Sequence, residues 1–428
     1  MLSLNVPHWT VIRPTRLAFV LYFFAGFADG MIVPFFPLWA RSEADIAVGF
    51  IGLLFGCYAG GELLATPFIG GIADRIGRRP VLVTSSFGVG IGFVALYFTH
   101  GLIGTALVLL AIGICESVLH PTIATVIADT TPVADHRRQF SLAKVGSSTG
   151  RILGPAVGAT LVLFSLGSVF VAAGVALLAG GALILLCLPE TRSIGVIEKN
   201  DEESEEKLSA LLPVFRDRRL GMLLLWFMLL EVAGSWIEAV LPLYAHDAAA
   251  LTPSGVGLLF TYGAALVALG QLPLSRMATQ RSAMFLVLAA GAVLILAFGI
   301  LILSPSPAAM IAAVTLFSLS QMLTGPLIPT AVTQLAPTNL RATYMAATSV
   351  ANDLRDSIGP AIGTAFYAAS SRLPWMIGIP LAALAAGGLG LTIARQQRPP
   401  SPPSDDMRRK ANPEAMKRVV PVRIMGLR

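Results

Sequence analysis

Ten ionisable side chains stand inside long apolar runs of this chain, and their types and spacing define the chemistry open to it. Asp29 lies in the run 17–40, Glu62 in 48–70, Glu116 and His120 in 102–128, and Arg151 in 141–163. The second half adds Glu231 and Glu238 in 220–245, and Asp353, Arg355 and Asp356 in 343–369. A charge at the centre of a bilayer costs about 3 kcal/mol or more, so a residue kept there usually faces a cavity. A carboxylate moved between a dry setting and a wet or paired one loads and releases a proton near neutral pH. Glu116 and His120 are four residues apart and share one helix face. Asp29, Glu116 and Arg151 are the first candidates for proton work. The competing reading for each is a structural ion pair, such as Glu116 with Arg151. For Glu62, Glu231, Glu238 and Asp353 that reading is the stronger one, and Arg355 and Asp356 either pair locally or sit nearer the cytoplasmic side.

The elements that must position these groups are transmembrane helices. Of 428 residues, 55% are hydrophobic and 13% charged, against about 25% charged in soluble domains. Mean hydropathy is +0.76. A bilayer core about 30 Å thick takes about 20 apolar residues of helix. Twelve such runs are predicted: 17–40, 48–70, 81–99, 102–128, 141–163 and 166–188, then 220–245, 254–276, 282–303, 307–332, 343–369 and 374–394. The expected organisation is a cytoplasmic N-terminus (1–16), a six-helix bundle (17–188), a central loop (189–219), a second six-helix bundle (220–395) and a basic, Pro-rich tail (396–428). The loop carries the acidic run Glu198, Asp201, Glu202, Glu203, Glu205 and Glu206. Leu208, Leu211, Leu212 and Phe215 within it have the spacing of an amphipathic interfacial helix.

With the N-terminus inside, 26 of the 30 Lys and Arg residues fall on cytoplasmic segments, which places both termini there. The first apolar run is read as a retained helix rather than a cleaved signal. Cys57, Cys115 and Cys187 sit singly in apolar runs and suggest neither a disulfide framework nor a metal site. The aromatic residues Tyr22, Phe23, Phe24, Phe27, Trp226, Trp236, Tyr244 and Tyr262 cluster on spans one, seven and eight. Packing and interfacial belts account for most of them, and some are expected to line a cavity.

The halves are related. Arg151-Ile-Leu-Gly154-Pro155-Ala-Val-Gly158 in span five matches Arg355-Asp-Ser-Ile-Gly359-Pro360-Ala-Ile-Gly363 in span eleven, 205 residues on at the Gly-Pro step. Between spans two and three the chain reads Gly70-Gly71-Ile72-Ala73-Asp74-Arg75-Ile76-Gly77-Arg78-Arg79-Pro80-Val81-Leu82. This resembles the loop signature of the major facilitator superfamily, with Ile72 in place of leucine. Physically, Gly70 admits a close helix neighbour, Gly77 permits a tight turn, and Asp74 can pair across the bundle interface. The resemblance implies that Gly70, Asp74, Arg75, Gly77, Arg78 and Arg79 gate a conformational change. Gly150, Gly154, Pro155 and Gly158 resemble part of the helix-five signature of drug:proton antiporters, with Ser141 replacing its first glycine. A plain packing seam is the alternative. Pro34-Phe-Phe-Pro37 and Leu188-Pro189-Glu190-Thr191 resemble further stretches of the same branch. One departure matters: the arginine that the family's helix-four motif links with proton transfer is Leu109 here.

The resemblance implies an all-α membrane protein of twelve helices in two pseudo-two-fold-related bundles, working by alternating access. The expected activity is proton-coupled efflux of small amphipathic, drug-like compounds from the cell (inner) membrane. Import of a metabolite by a proton symporter or facilitator is the nearest alternative. A non-transporting sensor on the same fold is more remote. No P-loop, metal cluster or nucleophile–base arrangement suggests an enzyme. No cofactor is expected beyond the proton gradient. The expected partners are a small-molecule substrate, protons and the lipid bilayer, with no nucleic acid, and the chain is read as a monomer.

Overall fold

In a computed structural model, the structure describes residues 14–131, 135–188, 217–337 and 340–396, without the side chains of 14–18, 66–75, 128–130, Arg137, Ala342 and Ala346. The acidic run, the interfacial helix expected at 208–215, and the basic tail lie outside the described residues. So do the side chains of Asp74 and Arg75.

Sixteen helices and no strand occur among the described residues. The first half comprises α1 (Pro14–Ile32), α2 (Phe36–Ser42), α3 (Val48–Ile76), α4 (Arg78–Leu96), α5 (Leu102–Glu116), α6 (Leu119–Thr130), α7 (His136–Leu161) and α8 (Ser168–Cys187). The second comprises α9 (Arg218–Ala239), α10 (Leu241–Ala249), α11 (Pro253–Ala278), α12 (Ala283–Leu303), α13 (Pro307–Thr324), α14 (Leu327–Leu335), α15 (Arg341–Ala369) and α16 (Leu373–Gln396). Among the described residues nine helices are long and apolar enough to cross a membrane, or ten when the bent pair α1–α2 is taken as one span. The remaining two crossings are α7 and α15, of 26 and 29 residues. Their charges, Lys144 and Arg151 in one and Asp353, Arg355 and Asp356 in the other, lower their apolarity without shortening them.

Four spans carry a short interruption, although the fourth and tenth still run as single crossings, Leu102–Ile127 and Pro307–Leu335. The segments α1 and α2 meet at 45°, α5 and α6 part at 117–118, α9 and α10 at Val240, and α13 and α14 at 325–326. Each second piece carries a proline in or just before its first turn: Pro37, Pro121, Pro242 and Pro326. Proline lacks the amide that the preceding turn would bond, so the helical ladder is interrupted at these points.

Within the first half α1 packs on α7, and within the second α9 packs on α15. The first contact is a glycine seam. A Cβ on Gly154 would stand 2.7 Å from the Met31 amide nitrogen, and one on Gly150 would meet the α1 backbone at Phe23 and Phe27. Between the halves, α3 lies on α15 and α7 on α11. These contacts gather at the face remote from the arginine-rich loops. There Gly52 N–H donates to Thr364 Oγ1 at 3.0 Å and Ser254 Oγ to the Ala159 carbonyl at 2.5 Å. Towards the basic face the same helices leave Leu64, Val145, Leu269 and Leu272 exposed. The halves therefore meet at the far face and part towards the basic one.

Candidate functional site

The glycine seam brings α7 close enough to α1 for Arg151 to reach Asp29. Arg151 Nη2 donates to Asp29 Oδ2 at 3.2 Å. This corrects the expected partner, because Arg151 pairs with Asp29 and not with Glu116. The Arg151 side chain is 62% exposed although it sits mid-span. Its charged neighbours beyond Asp29 include Glu116 and Lys144 of its own half and Glu238 and Asp356 of the other. The pair therefore faces the cleft between the halves.

The second half repeats the arrangement. Arg355 Nη1 donates to Glu231 Oε2 at 3.2 Å, again joining the first and fifth spans of a half. Arg355 also bonds Asp356, as expected for a local pair. Here the burial differs: Arg355 and Glu231 are 18% and 17% exposed. Two related arginines thus hold two related carboxylates, one arginine open to the cleft and the other mostly enclosed.

Glu116 ends α5 and is buried, and its Oε2 has no hydrogen-bond partner. Its polar neighbours are Asp29, Glu62, Tyr58 and Arg151. Tyr58, one helical turn before Glu62, donates to Glu62 Oε1 at 3.4 Å and lies beside Glu116. Glu62 looks across the cleft to Asp353 and Asp356. Glu238 accepts from Gln321 Nε2 at 3.2 Å. Asp29, Glu62, Glu116, Arg151, Glu238 and Asp353 are thus drawn to one region, with Glu231 and Arg355 set into its wall. His120 lies at the edge of this region, with Asp29 and Arg151 as its charged neighbours. Its ring lies 5.6 Å from that of Tyr22, whose hydroxyl reaches the His120 carbonyl at 3.5 Å. Leu109 is buried in the apolar core.

Tyr58 and Gln321 are the residues that sequence reasoning passed over. Single polar groups in apolar helices carry no spacing signal, and only their neighbours mark them out.

In the gating motif the backbone of Gly70, Asp74 and Arg75 continues α3, and Gly77 caps α4 at φ +106°. That conformation belongs to glycine. The Arg79 guanidinium donates to the Leu185 carbonyl, tying the loop to the end of α8. Of the helix-five residues, Gly150 and Gly154 form the α1 seam, while Gly158 faces the ring of Phe35.

A further ion pair, unlike those two, spans the halves at the far face. Arg41 Nη1, beyond α1, lies 2.5 Å from Asp247 Oδ2 on α10, and Tyr367 of α15 donates to the same oxygen at 2.8 Å.

The family profile described as Major Facilitator Superfamily matches residues 18–355. A class C tetracycline resistance protein of Escherichia coli is 27% identical over 368 residues, covering 82% of this chain and 90% of that protein. Multidrug resistance protein 1 of Bacillus subtilis is 26% identical over 264 residues, 59% of this chain and 63% of that protein. Among solved structures, the nucleoside transporter NupG shares the fold at a TM-score of 0.75 and 12% identity, with 90% of this chain and all of that one covered. With the profile running from the first crossing into the eleventh, this multi-pass membrane protein belongs to the Major Facilitator Superfamily of transporters.

Proposed function

We propose that the chain exports small amphipathic compounds across the cell (inner) membrane in exchange for protons, with both termini on the cytoplasmic side. The observation that carries this reading is the Asp29–Arg151 pair, held mid-span with its arginine exposed to the cleft. The relatives named for tetracycline and multidrug resistance support the cargo class.

The chemistry follows from the pair. While Asp29 is ionised it holds Arg151 on its own half. A proton on Oδ2 cancels that attraction and leaves an unpaired guanidinium, whose next partners are Glu238 and Asp356 across the cleft. Proton uptake within one half thus becomes an attraction between the halves. Glu116 is the second proton site, because a buried carboxylate oxygen without a donor is costly unless its charge is removed. Cargo entering from the basic face meets protonated Asp29, the proton leaves to that side as the cargo takes its place, and each cycle exchanges one for the other.

Inside-out vesicles with an acidic lumen test this, using tetracycline and an amphipathic fluorescent dye as probes. The unmodified protein should accumulate a probe. Asp29→Asn and Glu116→Gln should lose gradient-driven accumulation yet keep probe exchange without a gradient. Full gradient-driven accumulation by both variants would refute the coupling assignment. Proton-driven accumulation in right-side-out vesicles instead would favour import.

A further inference from the structure

A cavity of about 690 Å3 opens near the basic face of the second half, apart from the charged cleft, and no carboxylate among the described residues lines it. Arg219 in the first turn of α9 and Arg281 just before α12 both line it, and both are exposed. Neither is paired with a carboxylate among the described residues. The nearby Asp217 is engaged by the Arg219 backbone N–H and by the Tyr344 hydroxyl, each at 2.8 Å. Arg281 lies with its guanidinium carbon 5.7 Å from the Phe285 ring centre, which covers one face of the cation and leaves its N–H edge to donate. Gln334 adds a neutral donor.

Below these groups the wall is apolar. Leu286, Leu323 and Leu327 line it, and the first two belong to a small core separate from the main one. Phe285 and Met277, 54% and 72% exposed, stand on the flanking helices at the level where α11 ends and α12 begins. Two cations with no carboxylate partner among the described residues, above an apolar wall at a helix end, match a phosphate diester carrying acyl chains.

We propose that this cavity binds an anionic phospholipid of the adjoining leaflet, its phosphate held by Arg219 and Arg281 and an acyl chain laid over Leu286, Leu323 and Leu327. The site holds the ends of α9, α11, α12 and α14 together and does not depend on the transport reading. A basic pocket between membrane helices is a recurrent acceptor for such headgroups.

The test uses the full chain in nanodiscs of phosphatidylcholine, with phosphatidylglycerol added stepwise and the thermal midpoint recorded. The unmodified protein should gain several degrees. The double variant Arg219→Gln/Arg281→Gln should lose more than half of that gain. Arg276→Gln, on the same face but outside the cavity, should keep it. Equal loss in Arg276→Gln would reduce the effect to general charge and overturn the site. An equal gain from inorganic phosphate in phosphatidylcholine discs would assign the cavity to the free anion and overturn the lipid. Should the double variant not fold, a photoreactive phosphatidylglycerol on the unmodified protein decides. Labelling of peptides containing Leu286, Leu323 or Leu327 supports the site, and labelling only elsewhere overturns it.

Discussion

Arg41 and Asp247 meet at 2.5 Å across the seam between the two halves, and Tyr367 donates to the same Asp247 oxygen from the second half. The arginine is 44% exposed and the aspartate 30%, so water screens much of the attraction. Exposed pairs contribute about 0.2–1 kcal/mol. Asp247→Asn is expected to shift the balance away from far-face closure by roughly twofold to fivefold. Spin-label distances between the far ends of α3 and α15 would show it as a longer-distance population. The double exchange Arg41→Asp/Asp247→Arg should recover most of the closed population, and no change in any variant would remove the pair from gating.

The two related arginines should separate in their effects. Arg355→Gln strands Glu231, which is 17% exposed, beside no other cation. Breaking a mostly buried pair costs about 3–5 kcal/mol, so this variant should melt several degrees lower and express poorly. Arg151→Gln removes a partner that is 62% exposed, with an expected cost under about 1 kcal/mol. Its thermal midpoint should stay near that of the unmodified protein while gradient-driven transport falls. Equal destabilisation by both changes would contradict the distinction.

Gly154→Ala should harm the fold despite adding one carbon. Its Cβ would stand 2.7 Å from the Met31 amide nitrogen, a contact with backbone that cannot rotate away. Overpacking of this kind costs about 1–3 kcal/mol. Because α7 must retreat from α1, Arg151 should also lose its reach to Asp29. The variant should therefore show both a lower melting temperature and weakened coupling, whereas Gly60→Ala, with nothing within 4 Å, should show neither.

Glu43 should anchor the far end of α8. Its two oxygens accept the Leu166 and Gly167 N–H groups, each at 2.8 Å, and Oε2 also takes the Ser165 hydroxyl at 3.3 Å. Glu43→Gln turns one acceptor into a donor facing an N–H, at a cost of about 1 kcal/mol. Hydrogen exchange at 166–167 should rise several-fold, with the rest of α8 unchanged.

The helix plan was legible because a bilayer imposes length and apolarity on each crossing. The repeat at Gly154-Pro155 and Gly359-Pro360 kept α7 and α15 in that plan despite their charge. Which carboxylate Arg151 meets was not legible. Glu116 and Asp29 both lie at plausible depth, and the choice depends on helix rotation set by glycines packed against backbone. Tyr58 was invisible for the same reason, since its importance comes from sitting between two carboxylates on different helices. Arg41 gave no signal in the sequence, because its partner Asp247 lies 206 residues away.

The interruptions fall in the first and fourth spans of each half. Those at 33–35 and Val240 come near the far end of their spans, and those at 117–118 and 325–326 lie past the middle, towards the basic end. The first bends by 45°, and α2 beyond it carries Arg41 to Asp247 on α10. The far doorway is thus latched tip to tip by two short pieces, each hung from its span next to a proline. Straightening the α1–α2 hinge should unfasten that latch and leave the opposite doorway working.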